Sequence, residues 1–115
     1  MTTHSSEIAI IGGSLAGLTL ALACASRGVA VRVFERSSQR LHGGDSLSVD
    51  LAAVAAATGH DPRVDPLLPV VPAYRDRHLT TWSALHGWLQ GRAMDAPGVQ
   101  LEHGRTVVEV VDLGD

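Results

Sequence analysis

One cysteine, Cys24, occurs in the 115 residues, so no disulfide can close within the chain and a reducing, cytoplasmic setting is expected. It lies in TLALACAS with no His or Lys beside it to lower its pKa, and reads as a core thiol. Aromatic residues make up only 3% of the sequence, too few for a base-stacking platform. The formal net charge of -3 leaves no basic excess for a nucleic-acid backbone. No apolar run reaches the roughly 18 residues that a membrane span requires. The opening MTTHSSE also lacks the basic start of a secretory leader, so a soluble, unexported protein is expected.

Metal and nucleophile chemistry are equally thin. His4, His42, His60, His78, His86 and His103 include no pair three or four residues apart and no cysteine neighbour, so no metal set is expected and surface histidines are the simplest reading. No spacing of Ser, His and an acid suggests a triad, and no catalytic residue is assigned. What remains, 45% hydrophobic and 18% charged, fits a globular chain large enough for one domain and one core.

The informative part is the first third. Glu7 to Ile11 (EIAII) is a short apolar run ending at two glycines, which reads as a fully buried parallel strand. Ala16 to Ser26 is rich in Ala and Leu, lacks proline, and ends at Gly28 in the place of a left-handed cap, so a helix is expected there. Val29 to Glu35 (VAVRVFE) is β-branched and partly alternating, a second strand. Together these make one βαβ unit.

Its turn reads Gly12, Gly13, Ser14, Leu15, Ala16, Gly17, the G-x-G-x-x-G spacing with Ser14 in the second glycine's place. The first glycine permits the tight turn and the last lets helix and strand pack closely. Between them, backbone N–H groups at the helix start face a pyrophosphate, helped by the positive end of the helix dipole. The Ser14 hydroxyl is a further donor. Glu35 ends the second strand 23 residues after Gly12, where a carboxylate accepts from both ribose hydroxyls of an adenosine and repels a 2′-phosphate. NADP is therefore disfavoured at this site.

These residues, IIGGSLAGL and then VFERS, resemble the N-terminus of FAD-dependent aromatic monooxygenases of the para-hydroxybenzoate hydroxylase type, especially hydroxypyridine- and salicylate-hydroxylase-like members. The resemblance implies an FAD site at Gly12, Gly13, Ser14, Leu15, Ala16, Gly17 and Glu35, with Arg36 beside the adenine end. It also implies NAD(P)H as co-substrate and an aromatic substrate. LHGGDSLSVD resembles the family segment that runs towards the flavin, with Gly44 or Asp45 where relatives carry an Arg. TTWSALHGWL resembles a family helix in which Trp82 takes an Arg place and Leu85 and Leu89 match. Family members continue well past the equivalent of Asp115 to a Gly-Asp motif and a substrate domain. Residues 1–115 are thus expected to be a partial FAD-binding domain: a fragment, a truncated product or a small stand-alone relative.

The expected fold is α/β: a Rossmann-like, three-layer domain with a mostly parallel sheet, incomplete at its C-terminus. Its strands are Glu7 to Ile11, Val29 to Glu35 and Val99 to Glu102, and a last strand from Arg105 to Leu113 begins a meander. Leu51 to Thr58 is expected as a helix capped by Asp50 and stopped by Gly59, and a further helix is expected to start at Thr80 or Thr81. The prolines between His60 and Pro72 imply an irregular connection over the sheet or cleft, and Trp82 and Trp88 read as packing residues. The rival functions are a non-catalytic module that binds dinucleotide or another chain through an exposed sheet edge, and a remnant without function.

Overall fold

The turn after the first strand sets the architecture. In the computed structural model, which describes residues 7–37, 45–64 and 67–114, β1 (Glu7–Ile11) runs into Gly12, whose φ of +104° turns the chain without a side-chain clash. Ser14 then caps α1 (Leu15–Ser26), its Oγ accepting from the Gly17 N–H at 3.3 Å. The helix stops at Arg27 and Gly28, the latter at φ +80°, and β2 (Ala30–Glu35) follows.

β1 pairs in parallel with β2, Ile10 opposite Val33, and β2 pairs in parallel with β6 (Val99–His103), Val33 opposite Leu101 and Glu35 opposite His103. The strand order is β1-β2-β6, so β2 is central. This is the α/β, Rossmann-like arrangement expected from the sequence. Two details differ. Of the β1 residues only Ile10 is buried, because β1 is an edge strand. Helices also cover one face of this sheet only, giving two layers and not three among the described residues. Ile10, Val31 and Val33 are buried with Ala21 of α1, while Ile11 on the other face is 61% exposed.

Between β2 and β6 lies a second, antiparallel sheet that the sequence reading did not contain. It is formed by β3 (Ser46–Asp50), β5 (Arg77–Thr81) and the two-residue β4 (Val71–Pro72), in the order β3-β5-β4. Pro72 sits on an edge strand, where its missing N–H is tolerated. Among its described residues the proline-rich connection is therefore irregular only up to its last two. It also enters the core, because Leu68 and Pro62 are fully buried and the Leu68 N–H reaches the Pro62 carbonyl at 3.0 Å.

α2 (Leu51–Thr58) begins at Asp50, whose side chain accepts from the Ala53 N–H, and ends at Gly59 with φ +76°. α3 (Trp82–Asp95) begins at Thr81, whose hydroxyl accepts from the Ala84 N–H at 3.1 Å. Both helices start at the caps expected of them. The main core joins Leu18 and Leu22 of α1 with Leu51, Leu68, Leu85, Trp88, Leu89 and Ala93, so α3 is packed onto α1 and held beside the glycine turn. Burying side chains of this size stabilises the fold by about 1.5–3 kcal/mol each.

The expected strand from Arg105 to Leu113 does not form. No described strand pairs with it, and Val108, Val110, Val111 and Leu113 are exposed. β propensity alone does not hold a strand that has no ladder. Among the described residues no helix is long and apolar enough to cross a membrane.

Candidate dinucleotide-binding site

A cleft of about 190 Å³ opens where the glycine turn, the ends of β2 and β6, and one face of α3 converge. Gly12, Gly13 and Ser14 line it from the turn, Glu35 and Ser37 from the end of β2, Leu101 to His103 from β6, and Trp82, His86 and Gln90 from α3.

The turn is fixed by its lack of side chains. A Cβ on Gly17 would overlap the Gly12 carbonyl oxygen and would lie 3.4 Å from Ile10 Cγ2. Helix α1 can approach β1 this closely only with glycine at that position. A Cβ on Gly13 would stand 3.3 Å from the Cβ of Glu35. Gly12 donates its N–H to the Phe34 carbonyl at 2.8 Å, tying the turn to β2.

Glu35 and the turn are directly linked. The Gly13 N–H donates to Glu35 Oε1 at 2.9 Å and the Ser37 N–H to Oε2 at 3.0 Å. The Gly13 hydrogen bond, and then that from Ser37, holds the Glu35 carboxyl below the usual glutamate range. Glu35 is therefore ionised at neutral pH, half-buried, and faces the cleft. Each carboxylate oxygen keeps a further lone pair for an outside donor such as a ribose hydroxyl.

This arrangement changes the expected role of Gly13, whose N–H is committed to Glu35 and is not open to a phosphate. The N–H groups of Ser14, Leu15 and Ala16 remain, at the start of a 12-residue helix, with no acceptor among the described residues. Ser14 is exposed, Leu15 is half-buried against the main core, and Ala16 is exposed. Open amides at a helix N-terminus, a turn that excludes side chains and an ionised carboxylate beside it fit the diphosphate and ribose of a dinucleotide. Arg36 is exposed and lines a neighbouring depression with Ile11, Phe34 and Arg105, which shares Gly12 and Glu35 with the cleft.

Three α3 residues in the cleft were not assigned from the sequence. His86, expected at the surface, is 7% exposed, and its Nε2 lies 2.7 Å from the Gly13 carbonyl oxygen. Its ring stacks on Trp82, with centroids 4.8 Å apart and planes within 8°. Gln90 contacts His103 Nε2 through its own Nε2 at 3.2 Å. Trp82, His86 and Gln90 recur every four residues, a helical stripe distinct from the buried Leu85, Trp88, Leu89 and Ala93, and that period was the available signal. Trp88 is a packing residue as expected, whereas Trp82 borders the cleft. Gly44 and the rest of residues 38–44 lie outside the described residues; Asp45 is exposed.

Comparison with known proteins agrees with this geometry. The sequence profile of the NAD(P)-binding Rossmann-like domain matches residues 10–65, the stretch that holds the turn and Glu35. Over 71 residues the chain is 42% identical to the FAD-dependent monooxygenase azaH of Aspergillus niger, a match covering 62% of this chain and 14% of that protein. Residues 10–65 thus match a Rossmann-like dinucleotide-binding domain, and the chain is similar in sequence to an FAD-dependent monooxygenase.

Solved structures share this fold. CtdE in complex with FAD superposes with a TM-score of 0.75 at 18% identity, over 95% of this chain and 32% of that one. The 2,6-dihydroxypyridine-3-hydroxylase of Arthrobacter nicotinovorans superposes at 0.61 with 25% identity, over 87% and 29% respectively. The chain thus spans 14% of the length of the curated relatives it matches and about a third of the solved ones.

Proposed function

We propose that this chain is the FAD-binding portion of an FAD-dependent monooxygenase that uses NAD(P)H to hydroxylate an aromatic ring. In this reading residues 1–115 are part of one FAD-binding domain, and the substrate domain lies in a separate part of the enzyme. The observation that carries it is the coupling of the glycine turn to Glu35, with open helix-start amides on one side and a ribose-accepting carboxylate on the other.

Ser14, Leu15 and Ala16 would hold the pyrophosphate through backbone N–H groups, with the α1 dipole favouring the negative charge. The Ser14 hydroxyl, which accepts from Gly17, keeps its own hydrogen to donate. Gly12, Gly13 and Gly17 shape the turn, and Glu35 would accept from the adenosine ribose. Arg36 would flank the adenine end from outside the cleft. The redox chemistry of ring hydroxylation belongs to the flavin, reduced by NAD(P)H, and the protein's part is to bind and orient it. The names of the relatives support the reaction class: one is an FAD-dependent monooxygenase and another a dihydroxypyridine hydroxylase.

The single Cys24 fits a cytoplasmic setting. The open face of the first sheet, with Ile11 exposed, and the unpaired valines after Arg105 support self-association. Titration of FAD, NAD and NADP against the purified chain, followed by flavin fluorescence and calorimetry, tests the cofactor assignment. FAD and NAD should bind more tightly than NADP, because the ionised Glu35 faces the place of the 2′-phosphate. Tighter NADP binding would refute that assignment.

A further inference from the structure

We propose that His86 is the positioning residue of the phosphate-facing turn: it fixes the Gly13–Ser14 peptide so that the Ser14 N–H points to a bound diphosphate. This deepens the reading of the cleft as a dinucleotide site and rests on it. The Gly13 carbonyl and the Ser14 N–H belong to one planar, trans peptide unit and point in opposite directions. Whatever holds the carbonyl therefore aims the amide. His86 holds it, with Nε2 at 2.7 Å from the oxygen, and the Ser14 N–H has no acceptor among the described residues.

The turn requires such a hold. Gly12 at φ +104° and Gly13 are consecutive residues without Cβ atoms, so the peptide after them rotates more freely than any other in the first helix turn. Glu35 restrains the peptide before Gly13 through its N–H, and His86 restrains the one after it through its C=O. A carbonyl oxygen only accepts, so His86 must carry hydrogen on Nε2. The ring is buried and stacked parallel on Trp82, which restricts it to this orientation. The order of elements explains how this occurs: α3 packs on α1 through Leu85 and Leu89, and His86, next to Leu85, is carried to the turn.

The test compares adenosine with ADP on the wild-type chain and on His86→Phe and His86→Gln. Phe keeps an aromatic ring against Trp82 and removes the donor, and Gln restores an N–H donor. The Phe variant should lose about tenfold in ADP affinity, the scale of one misdirected charge-assisted hydrogen bond. Its adenosine affinity should change by less than about twofold, and the Gln variant should recover most of the ADP binding. In the wild-type chain, ¹⁵N NMR should show the Nε2–H tautomer of His86, and ADP but not adenosine should shift the Ser14 amide. An equal loss for both ligands, an unchanged ADP affinity in the Phe variant, or the Nδ1–H tautomer each overturns the proposal. If the Phe variant does not fold, the tautomer and the Ser14 shift decide. A wild-type chain that binds neither ligand overturns the dinucleotide reading itself, and this inference with it; binding that survives His86→Phe overturns this inference alone.

Discussion

Gly13 donates its N–H to Glu35 Oε1 at 2.9 Å, joining the turn after β1 to the end of β2 across 22 residues of sequence. The carboxylate is thus a structural anchor as well as a candidate ribose acceptor. Glu35→Ala is expected to weaken adenosine and FAD binding by about 1–3 kcal/mol, the range for charge-assisted hydrogen bonds. It should also narrow the preference for NAD over NADP. Calorimetric titration of both nucleotides against wild type and variant measures this, and unchanged dissociation constants would move the site elsewhere.

The same anchor gives stability a dependence on pH. The Gly13 and Ser37 hydrogen bonds lower the folded-state pKa of Glu35 below 4.5, so the ionised form is favoured in the folded chain. The contribution is fully present above the unfolded pKa and is lost as pH falls through the folded one. Melting temperatures recorded as pH falls from about 5 towards about 2 should show the wild type losing more stability than Glu35→Gln, which has no charge to titrate. Parallel curves for the two proteins would mean that these hydrogen bonds do not favour the ionised form.

Gly17→Val should damage folding before it affects binding. Its Cβ would overlap the Gly12 carbonyl oxygen, and the branched side chain would push α1 from β1. Overpacking of this kind costs about 1–3 kcal/mol where the backbone can shift. Backbone against backbone leaves little room to shift, so the upper end of that range is expected. Thermal unfolding measures the effect, and a wild-type melting temperature would contradict the close approach of helix and strand.

The parts of the fold legible in the sequence are those whose determinants are local. The β1-α1-β2 unit follows from an apolar run, a glycine turn and an Ala-Leu helix, and the caps Asp50, Gly59 and Thr81 act on backbone groups a few residues away. The antiparallel sheet was not legible, because SLSVD and RHLTT are short, half polar, and meet through pairs such as Ser48 and Leu79, which are 31 residues apart. Arg105 to Leu113 failed in the opposite way: TVVEVV has strand propensity but no described partner strand. In the site, the turn and Glu35 were readable as a spaced pattern. His86 was not, since its burial depends on where α3 docks, and only its place between Trp82 and Gln90 hinted at a shared face.

The exposed apolar groups after Arg105 make the last prediction. Val108, Val110, Val111 and Leu113 are 91%, 77%, 62% and 92% exposed, and Glu109 is the one charge within TVVEVV to discourage pairing with another chain. Among the described residues the sheet ends at β1, an edge strand with Ile8 and Ile11 exposed, so an open strand edge and valines without a ladder occur together. Two copies can satisfy both by pairing the tail of one with the edge of the other, or tail with tail. The chain expressed alone is therefore expected to associate as its concentration rises. Val108→Lys combined with Val111→Lys should shift it towards monomer, because like charges resist edge pairing. The melting temperature of the dilute protein should stay unchanged, since these highly exposed side chains contribute little to the core. Sedimentation velocity over a concentration series reads the first effect and thermal unfolding the second. A wild-type chain that remains monomeric at every concentration would show that the exposed valines recruit no partner copy.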